Sequence, residues 1–597
     1  MPDGRAQEIR PSGTSVAPYS LHHRRHWGAD PIGKGLWRFA LWAPEAGEVA
    51  LDLAGERHEM AREADGFWRV TRLATHDAPY AFVVDGEPTP DPLARAQMSL
   101  DLWGPSRLVD PRRHPWTSRW HGRPWEEAVI YELHVGTFTA EGTFRAAERR
   151  LADLAALGVT AIEVMPVAHG PGAYGWGYDG ALLFAPHPAY GTPEEMKHFV
   201  EAAQAQGLMV ILDVVMNHFS PEGSDLHRIM PGMFHPERHT PWGAAIAFDE
   251  PAVRRFFTDL VLGWITEYRL DGLRFDAVHQ ILDPTEPHFM VELGRAIRGK
   301  DFARPIHLIL EDERNVTELR DTGLYTAQWN DDFHHAMHAR LTKEHHAHLA
   351  RYAQDPVGDL VLSLAQGQVE TGQPRPFLDE PRGAPSGHLS FTAFVNFNQN
   401  HDQVGNHPGG RRLITMADPK GAEVAHALLL TAPFVPMLWM GEEVGEQAPF
   451  HYFCDVSPEL GKLVAEGRYK EFGLIDGGTD GFLDPNDRAT FEASRPFGDE
   501  GGEHARHWRE LTRRLLALRH ERIVPLLKSG RAGEAQVARR GAFALSATWP
   551  FRAGFVVAHV NLGGPPDDPP AVAEPLDMAL GTIATDPYAF ALIASRT

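Results

Sequence analysis

Arg274 and Asp276 are two charged residues within an otherwise apolar stretch, LDGLRFDAVH, at positions 270–279. The apolar residues around them indicate a buried parallel strand that leads into a loop carrying polar side chains. Residues two apart on a strand face the same side, so Arg274 can pair with Asp276 and hold that carboxylate ionised as a nucleophile. A purely structural Arg–Asp ion pair is the alternative reading of this segment taken alone.

Three further apolar stretches end in polar residues of the same kinds. These residues are Asp213, Asn217 and His218 in DVVMNH, Glu311 in LILEDE, and His401 and Asp402 in FNQNHD. One carboxylate at the end of a strand means little. Four of them, each emerging from an apolar strand, are difficult to explain by packing and favour a catalytic site built from carboxyl groups.

From residue 129 onward, strand patterns alternate with helix patterns, which predicts a parallel sheet with crossover helices. Eight strand candidates follow one another: VIYELHVG, VTAIEVMPV, LMVILDVVMNH, LDGLRFDAV, IHLILEDE, YTAQWNDDF, FTAFVNFNQNHD and VPMLWMGEE. One helix is predicted to begin at Thr192, Pro193 and Glu195 and to stop at Gly207. We therefore predict a closed (β/α)8 barrel of the TIM type, whose site lies at the C-terminal ends of the strands.

Two β regions are expected to flank this α/β barrel. Residues 36–110 alternate apolar and polar side chains between Gly, Pro and Asp, and residues 541–564 alternate in the same way. We predict an immunoglobulin-like, carbohydrate-binding-like β-sandwich at 1–115, the barrel at 116–525 and a small C-terminal β domain at 526–597. Trp37, Phe39 and Leu41 share one face, which favours core packing over sugar binding.

Composition excludes several function classes. The 597 residues carry a formal net charge of -23, which argues against a nucleic-acid partner. The 33 histidines are scattered without paired ligand spacing, so neither a metal nor another cofactor is predicted. The single cysteine, Cys454, and an N-terminus without an apolar signal core favour the cytoplasm, and no apolar run reaches membrane-spanning length.

The four segments DVVMNH, GLRFDAVH, LILEDE and FNQNHD together resemble the four signature segments of the α-amylase superfamily of glycoside hydrolases. The resemblance implies that Asp276 is the nucleophile, Glu311 the general acid/base and Asp402 the carboxylate that grips the sugar hydroxyls. The matching supporting residues are Arg274, His218, His401, Asp213 and Tyr178. Tyr178 matches a tyrosine that stacks under the reacting glucose, although a role in core or loop packing stays open.

Glycosidic bond cleavage needs two carboxyl groups in different protonation states. One attacks the anomeric carbon while the other, still protonated, donates to the leaving oxygen, and retention of configuration places the pair about 5–5.5 Å apart. Arg274 is expected to favour ionised Asp276, whereas the nearby charges of Asp276 and Asp402 favour protonated Glu311. Glu313 lies two residues beyond Glu311 and is the rival acid.

Other segments resemble the maltooligosyltrehalose trehalohydrolases within that superfamily. These segments are LWAPEA in the N-terminal region, WGYDG at 176–180, WNDDFHHAMH at 329–338 and QNHDQVGN at 399–406. The resemblance implies a maltooligosaccharide-type substrate with a trehalose end, from which free trehalose is released. The segment after Asp276 reads Ala277-Val278-His279 and lacks the lysine that many amylases carry there. This difference puts sugar-binding subsites of the ordinary amylase kind on the leaving side in doubt.

Selectivity for trehalose requires a short, closed pocket on the leaving side. Trp329, Asn330, Asp331 and Phe333 end the sixth strand candidate, and Gln403 follows Asp402, so we expect them to bind the leaving sugar. The alternative is that WNDDF only fixes the loop of that strand.

Two other functions stay open from the sequence. A glucan branching or debranching enzyme would share the carboxylates and the β domain, but it would transfer chains or accept α-1,6 bonds. A non-catalytic glucan-binding relative would have lost Asp276 or Glu311, which this chain retains. Preferred chain length, oligomeric state and the presence of a structural ion are not predicted, although Asn217 matches a calcium-ligand position of some relatives.

Overall fold

The computed structural model describes residues 22–473, 479, 481–498, 500–564, 566–572 and 575–596. The N-terminal segment that was predicted to lack a signal core lies outside these described residues. Within the described ranges, every helix is either too short or too polar to cross a membrane.

Two sheets form the N-terminal region. Their strands are β1 (Gly28–Gly33), β2 (Leu36–Trp42), β3 (Val49–Leu53), β4 (Glu56–Glu59), β5 (Ala61–Arg62), β6 (Phe67–Leu73), β7 (Pro79–Val84), β8 (Glu87–Thr89) and β9 (Ser106–Arg107). One sheet has the order β1-β2-β6-β5, and the other has β4-β3-β7-β8 with β9 paired to β7. Phe39 meets Tyr80 across the two sheets, with ring centroids 5.5 Å apart. Trp37, Phe39 and Leu41 are buried, which gives them the core role that the sequence favoured.

A closed parallel barrel occupies the middle of the chain. The strands of this region are β10 (Ile130–Leu133), β11 (Ala161–Val164), β12 (Ala168–His169), β13 (Leu182–Pro186), β14 (Met209–Val214), β15 (Phe234–Thr240), β16 (Gly243–Ile246), β17 (Gly272–Phe275), β18 (His307–Leu310), β19 (Ala327–Trp329), β20 (Phe394–Asn396) and β21 (Val435–Trp439). The barrel closes in the order β10-β11-β14-β17-β18-β19-β20-β21. Each barrel strand lies within one of the eight sequence candidates, so the predicted barrel is confirmed. Strands β12–β13 and β15–β16 form two separate hairpins.

Helices cover the barrel and the loops at its mouth. They are α1 (Val135–Phe138), α2 (Phe144–Glu148), α3 (Leu151–Leu157), α4 (Pro193–Ala205), α5 (Leu226–Ile229), α6 (Pro251–Glu267), α7 (Phe289–Arg298), α8 (Glu318–Asp321), α9 (Asp331–Thr342), α10 (Pro356–Gln366), α11 (His401–Gly405), α12 (Leu413–Met416), α13 (Pro419–Thr431), α14 (Pro458–Phe472), α15 (Arg488–Ala493), α16 (Glu503–Leu518) and α17 (Val524–Ser529). The predicted capping box of α4 is present, because the Thr192 side chain accepts from the Glu195 backbone and the Glu195 side chain accepts from the Thr192 backbone. Gly207 has a φ of 78° just beyond this helix, where a Cβ would be strained.

One antiparallel sheet forms the C-terminal region. Its strands are β22 (Gln536–Arg539), β23 (Ala544–Phe551), β24 (Gly554–Leu562), β25 (Met578–Leu580) and β26 (Tyr588–Arg596), in the order β22-β23-β24-β26-β25. Trp549 on β23 donates to the backbone oxygen of Leu364 on α10 at 2.9 Å and so ties the sheet to the barrel. The predicted boundary at residue 525 falls inside α17, and the division into three domains remains a prediction.

A buried ion cluster joins the N-terminal region to the barrel. Glu267, the last residue of α6, accepts from Arg95 at 2.6 and 2.8 Å and from Arg25 at 3.1 Å. Arg95 also donates to Asp30 at 3.1 Å. All of these side chains are buried. Burial alone would raise the pKa of Glu267, but the two guanidinium groups hold it well below its usual range.

Replacing Glu267 by Ala should destabilise the protein strongly, because it leaves two buried arginines without their shared carboxylate. Breaking such a buried pair costs about 3–5 kcal/mol. Urea denaturation followed by tryptophan fluorescence measures the free energy of unfolding. Glu510→Gln is the control, since its partner Arg513 is exposed and the pair should contribute nothing measurable. Equal unfolding midpoints for both variants would show that the cluster does not stabilise the interface.

Candidate active site

Neighbouring barrel strands bring the predicted polar residues to one rim. Asp213 on β14 lies directly opposite Arg274 on β17 in the strand register. Asp276 follows the end of β17, Glu311 follows β18, and Asp402 lies in α11 after β20. Since β14, β17 and β18 are consecutive in the parallel barrel, residues up to about a hundred positions apart in sequence share one end of it.

Arg274 is the buried cation at the centre of this rim. Its Nη1 donates to Oδ2 of Asp213 at 2.5 Å and to Oδ1 of Asp276 at 3.0 Å. Its Nη2 lies 2.7 Å from Oε2 of Glu311. The guanidinium also lies 4.0 Å above the ring of Trp329. One arginine therefore contacts three carboxylates, so the predicted Arg274–Asp276 pair is confirmed as part of a larger network.

Tyr178 lies at the same rim of the barrel as Arg274. Its hydroxyl donates to Oδ2 of Asp213 at 2.5 Å, and its ring stacks on that of His401 with centroids 5.2 Å apart. His218 contacts the backbone oxygen of Tyr178 through Nε2 at 3.0 Å. Tyr178 is thus fixed at the rim from three sides while still lining the cavity.

Asn217 holds the free oxygen of Asp276. Its Nδ2 donates to Oδ2 of Asp276 at 3.0 Å, and its Oδ1 bonds Nδ1 of His218. Both ends of this amide are therefore engaged by protein groups. This arrangement explains why the residue is an asparagine without invoking the calcium-ligand role that its position has in some relatives.

Glu132 is a functional neighbour that the sequence did not reveal. It lies on β10 and accepts from Nδ1 of His401 at 2.5 Å and from the His401 backbone at 3.1 Å. Burial alone would lower the pKa of His401, but the charge and hydrogen bond of Glu132 raise it above its usual value. Nothing in VIYELHVG distinguished this inward-facing glutamate from a structural one.

Three carboxyl groups at the rim, those of Glu311, Asp276 and Asp331, have raised pKa values. Burial, followed by the charges of Asp276 and Asp402, raises the pKa of Glu311 to about 7 against the pull of Arg274. Burial also raises the pKa of Asp276, although Arg274 opposes the shift. The expectation that Arg274 favours ionised Asp276 is correct in direction, but it left out desolvation, which has the larger effect. Burial, with Glu311 and Asp402, raises the pKa of Asp331 to about 8.

These residues surround a cavity of about 680 Å³. Ten of the fourteen site residues expected from the sequence line it: Tyr178, His218, Arg274, Asp276, His279, Glu311, Asp331, His401, Asp402 and Gln403. Glu313 also lines it and lies 3.6 Å from His279, whereas Glu311 contacts Arg274 and accepts from the backbone of Ala277 at 2.8 Å. The arrangement favours Glu311 over Glu313 as the acid.

The other four expected residues lie behind the cavity wall. Asp213 is covered by Tyr178 and Arg274, and Trp329 lies beneath Arg274. Asn330 donates to the Gly367 backbone at 2.7 Å. Trp329, Asn330 and Phe333 do not line the cavity, so their expected contacts with the leaving sugar remain predictions that this geometry does not favour.

Helix geometry explains where these residues lie. Because α9 begins at Asp331, directly after β19, Asp331 faces the cavity while Phe333 turns into the core, where it is fully buried. Gln403 lies 3.5 Å from Oδ1 of Asp331. Of the WNDDF residues singled out for the leaving sugar, only Asp331 lines the cavity.

Several lining residues come from segments without a sequence signal. Trp242, in the β15–β16 turn, stacks on His218 with centroids 4.9 Å apart and remains 48% exposed. Tyr352 and Arg382 come from the long segment between α9 and β20. Six histidines also line the wall: His334, His335, His338, His346, His348 and His407.

Comparison with known proteins gives consistent results. The family model of the alpha amylase catalytic domain matches residues 118–230. The chain is 40% identical to malto-oligosyltrehalose trehalohydrolase of Deinococcus radiodurans, covering 85% of each chain. It is 38% identical to the Saccharolobus solfataricus protein of the same name, covering 76% of this chain and 81% of the relative. A crystal structure from Salmonella typhimurium, which carries the description alpha amylase, has a TM-score of 0.92 and 43% identity, covering 96% of this chain and 99% of that one.

The pKa of Glu311 predicts a pH-dependent stability difference. Folded Glu311 keeps its proton up to about pH 7, whereas the unfolded chain releases it near pH 4.3, so ionisation destabilises the fold as pH rises between these values. Glu311→Gln has no proton to lose. Its stability relative to the parent should therefore rise by about 2–3 kcal/mol between pH 5 and pH 8.

Urea denaturation at both pH values measures this change. Glu313→Gln is the matched control, because the Glu313 side chain is 63% exposed. Its stability relative to the parent should not change with pH. A Glu311→Gln difference that is the same at pH 5 and pH 8 would mean that Glu311 titrates normally.

Proposed function

The chain belongs to the malto-oligosyltrehalose trehalohydrolase family of glycoside hydrolases, and we propose that it cleaves the α-1,4-glucosidic bond next to the terminal trehalose of a maltooligosyltrehalose. One observation carries the proposal: Asp276, Glu311 and Asp402 line a single cavity around buried Arg274. This is the set of groups that a retaining glycosidase requires. Similarity over most of the chain to proteins of that name supports the choice of substrate.

In the first step, Asp276 attacks the anomeric carbon of the glucose next to the trehalose unit. Glu311 donates its proton to the leaving glycosidic oxygen, so trehalose departs and the sugar stays bound to Asp276 as an ester. With a pKa of about 7, Glu311 retains its proton in a substantial fraction of molecules at neutral pH. The nearby negative charge of Asp276 supports this protonated state.

In the second step, Glu311 acts as a base. It removes a proton from a water molecule that attacks the anomeric carbon and releases Asp276, so the configuration is retained overall. Neutralising the Asp276 charge in the intermediate removes one of the reasons for the raised pKa of Glu311. Glu311 is then ionised in a larger fraction of molecules, and the ionised carboxylate is the form that can accept the proton of the attacking water.

Supporting residues position the nucleophile and the sugar. Arg274 and Asn217 each hold one oxygen of Asp276, which fixes the carboxylate plane before the substrate arrives. Tyr178 offers an aromatic face beside Asp276, and Asp402 is held by Asn406, whose Nδ2 donates to Oδ1 at 2.5 Å. We assign Tyr178 and Asp402 to the glucose that reacts.

Asp331, Gln403 and His279 are our candidates for binding the trehalose unit. They line the cavity near Glu311, whose charge is among the causes of the raised pKa of Asp331. A polar pocket of this kind rejects a sugar that leaves its buried groups without hydrogen-bond partners. We also propose a cytoplasmic location, because the lone Cys454 is consistent with a reducing compartment.

The products test the proposed reaction. Incubation with maltooligosyltrehalose should release free trehalose as the main early product, and maltoheptaose should be a poorer substrate. Chromatographic separation of the sugars measures both. Appearance of longer or branched chains would identify a glucan branching activity and overturn the proposal.

Asp331→Ala should lower turnover of the trehalose-ended substrate more than turnover of maltoheptaose. The change removes a carboxyl group that can donate to and accept from the leaving sugar, so a loss of about 10-fold or more is expected, corresponding to one buried hydrogen bond. The ratio of kcat/KM for the two substrates measures it. Asp321→Ala, which removes an exposed carboxylate bonded to His388 outside the cavity lining, should leave the ratio unchanged. Equal losses on both substrates would remove Asp331 from the trehalose subsite.

A further inference from the structure

His338, Glu344 and His407 form a compact cluster in the wall of the cavity. Nε2 of His338 lies 2.7 Å from Oε2 of Glu344, and Nε2 of His407 lies 3.0 Å from Oε1 of the same carboxylate. One ligand atom from each residue falls within 4.8 Å of the other two. His338 and His407 are 69 positions apart, so no spacing pattern in the sequence could reveal this set.

The hydrogen bonding of His407 fixes its tautomer. Its Nδ1 lies 2.9 Å from the backbone oxygen of Pro408, which only accepts, so Nδ1 carries a proton. Nε2, which faces Glu344 at 3.0 Å, is therefore the ring nitrogen available to bind a metal ion. A backbone carbonyl that orients the far nitrogen is the usual arrangement behind a metal-binding histidine.

His346 is a fourth candidate ligand next to this set. Its Nε2 lies 3.8 Å from Oε2 of Glu344, and its side chain is 21% exposed. Both of its ring nitrogens are buried without a hydrogen-bond partner among the described residues. A buried imidazole without partners is costly, which points to a ligand that occupies the space between His346 and the cluster.

We propose that His338, Glu344 and His407, with His346 as a fourth ligand, bind a divalent transition-metal ion of the Zn²⁺ type. Imidazole nitrogens with one carboxylate oxygen suit Zn²⁺, which prefers four ligands at about 2.0–2.2 Å. Tetrahedral geometry at those lengths separates the donor atoms by about 3.3 Å. Oε2 of Glu344 lies 2.7 Å from Nε2 of His338, 3.3 Å from Nε2 of His407 and 3.8 Å from Nε2 of His346. Each of these pairs is within about 0.6 Å of the tetrahedral separation.

The ion would connect two catalytic loops. Glu344 follows the end of α9, where Lys343 adopts a left-handed conformation, and His407 follows α11. Asn406, the neighbour of His407, donates to Asp402 and accepts from Arg468 at 2.5 Å. Binding would therefore restrain the segment that orients Asp402, which makes the four ligands positioning residues and the ion a structural one.

Isothermal titration of the full chain with Zn²⁺, after dialysis against a chelator, tests the proposal. The parent should bind one ion per chain at this site, and Co²⁺ in its place should give the visible absorption of a tetrahedral complex. Loss of a group that only hydrogen-bonds a metal ligand weakens metal binding by about 10–100-fold. Glu344→Gln changes a ligand itself and should weaken Zn²⁺ binding by more than that. His388→Ala, which removes an exposed histidine elsewhere, should bind as the parent does.

Two results would overturn the site: no stoichiometric Zn²⁺ binding by the parent, or equal affinity in the parent and Glu344→Gln. Thermal unfolding of the parent gives an answer that does not depend on the variant folding. Saturating Zn²⁺ should raise the Tm of the chelator-treated parent, because an ion that binds only the folded state stabilises it. An unchanged Tm would also contradict the proposal.

Discussion

A single buried guanidinium holds the catalytic rim together. Arg274 lies in the barrel interior, where an unpaired charge is expensive, and its contacts with Asp213, Asp276 and Glu311 offset that cost. The same contacts place two carboxyl groups side by side and make their protonation interdependent. Removing the cation would leave mutually repelling carboxylates, so the stability of the rim and the chemistry proposed for it have the same origin.

The surrounding layers keep this network in place. Trp329 supports the guanidinium from below, Tyr178 covers Asp213, and Asn217 fixes the second oxygen of Asp276. Glu132 on β10 has a similar supporting role, because it accepts a hydrogen bond from His401 and so holds this residue next to Asp402. The network is therefore pre-organised by strands that are rigid, while loops from several parts of the chain form the remaining cavity wall.

The barrel and its principal carboxylates were predictable because their signals are local. Each strand is an apolar run, and Arg274 and Asp276 stand out where such a run ends. Glu132 did not stand out, because its importance depends on a partner 269 residues away. The burial of Phe333 away from the cavity was not predictable for a related reason: its direction depends on where α9 starts, which the local pattern does not specify. The six histidines that line the cavity wall are brought together by tertiary packing, and no periodic pattern in the sequence marks them as a group.

The account depends most directly on Asp276 forming a bond to the sugar. A fluorinated α-glucosyl fluoride, which slows breakdown of the glycosyl-enzyme, should label the protein once, and mass spectrometry of its peptides should locate the label on Asp276. Attachment to Glu311, to Asp402 or to any other residue would contradict the account. So would turnover of the reagent by the Asp276→Asn variant at the rate of the parent.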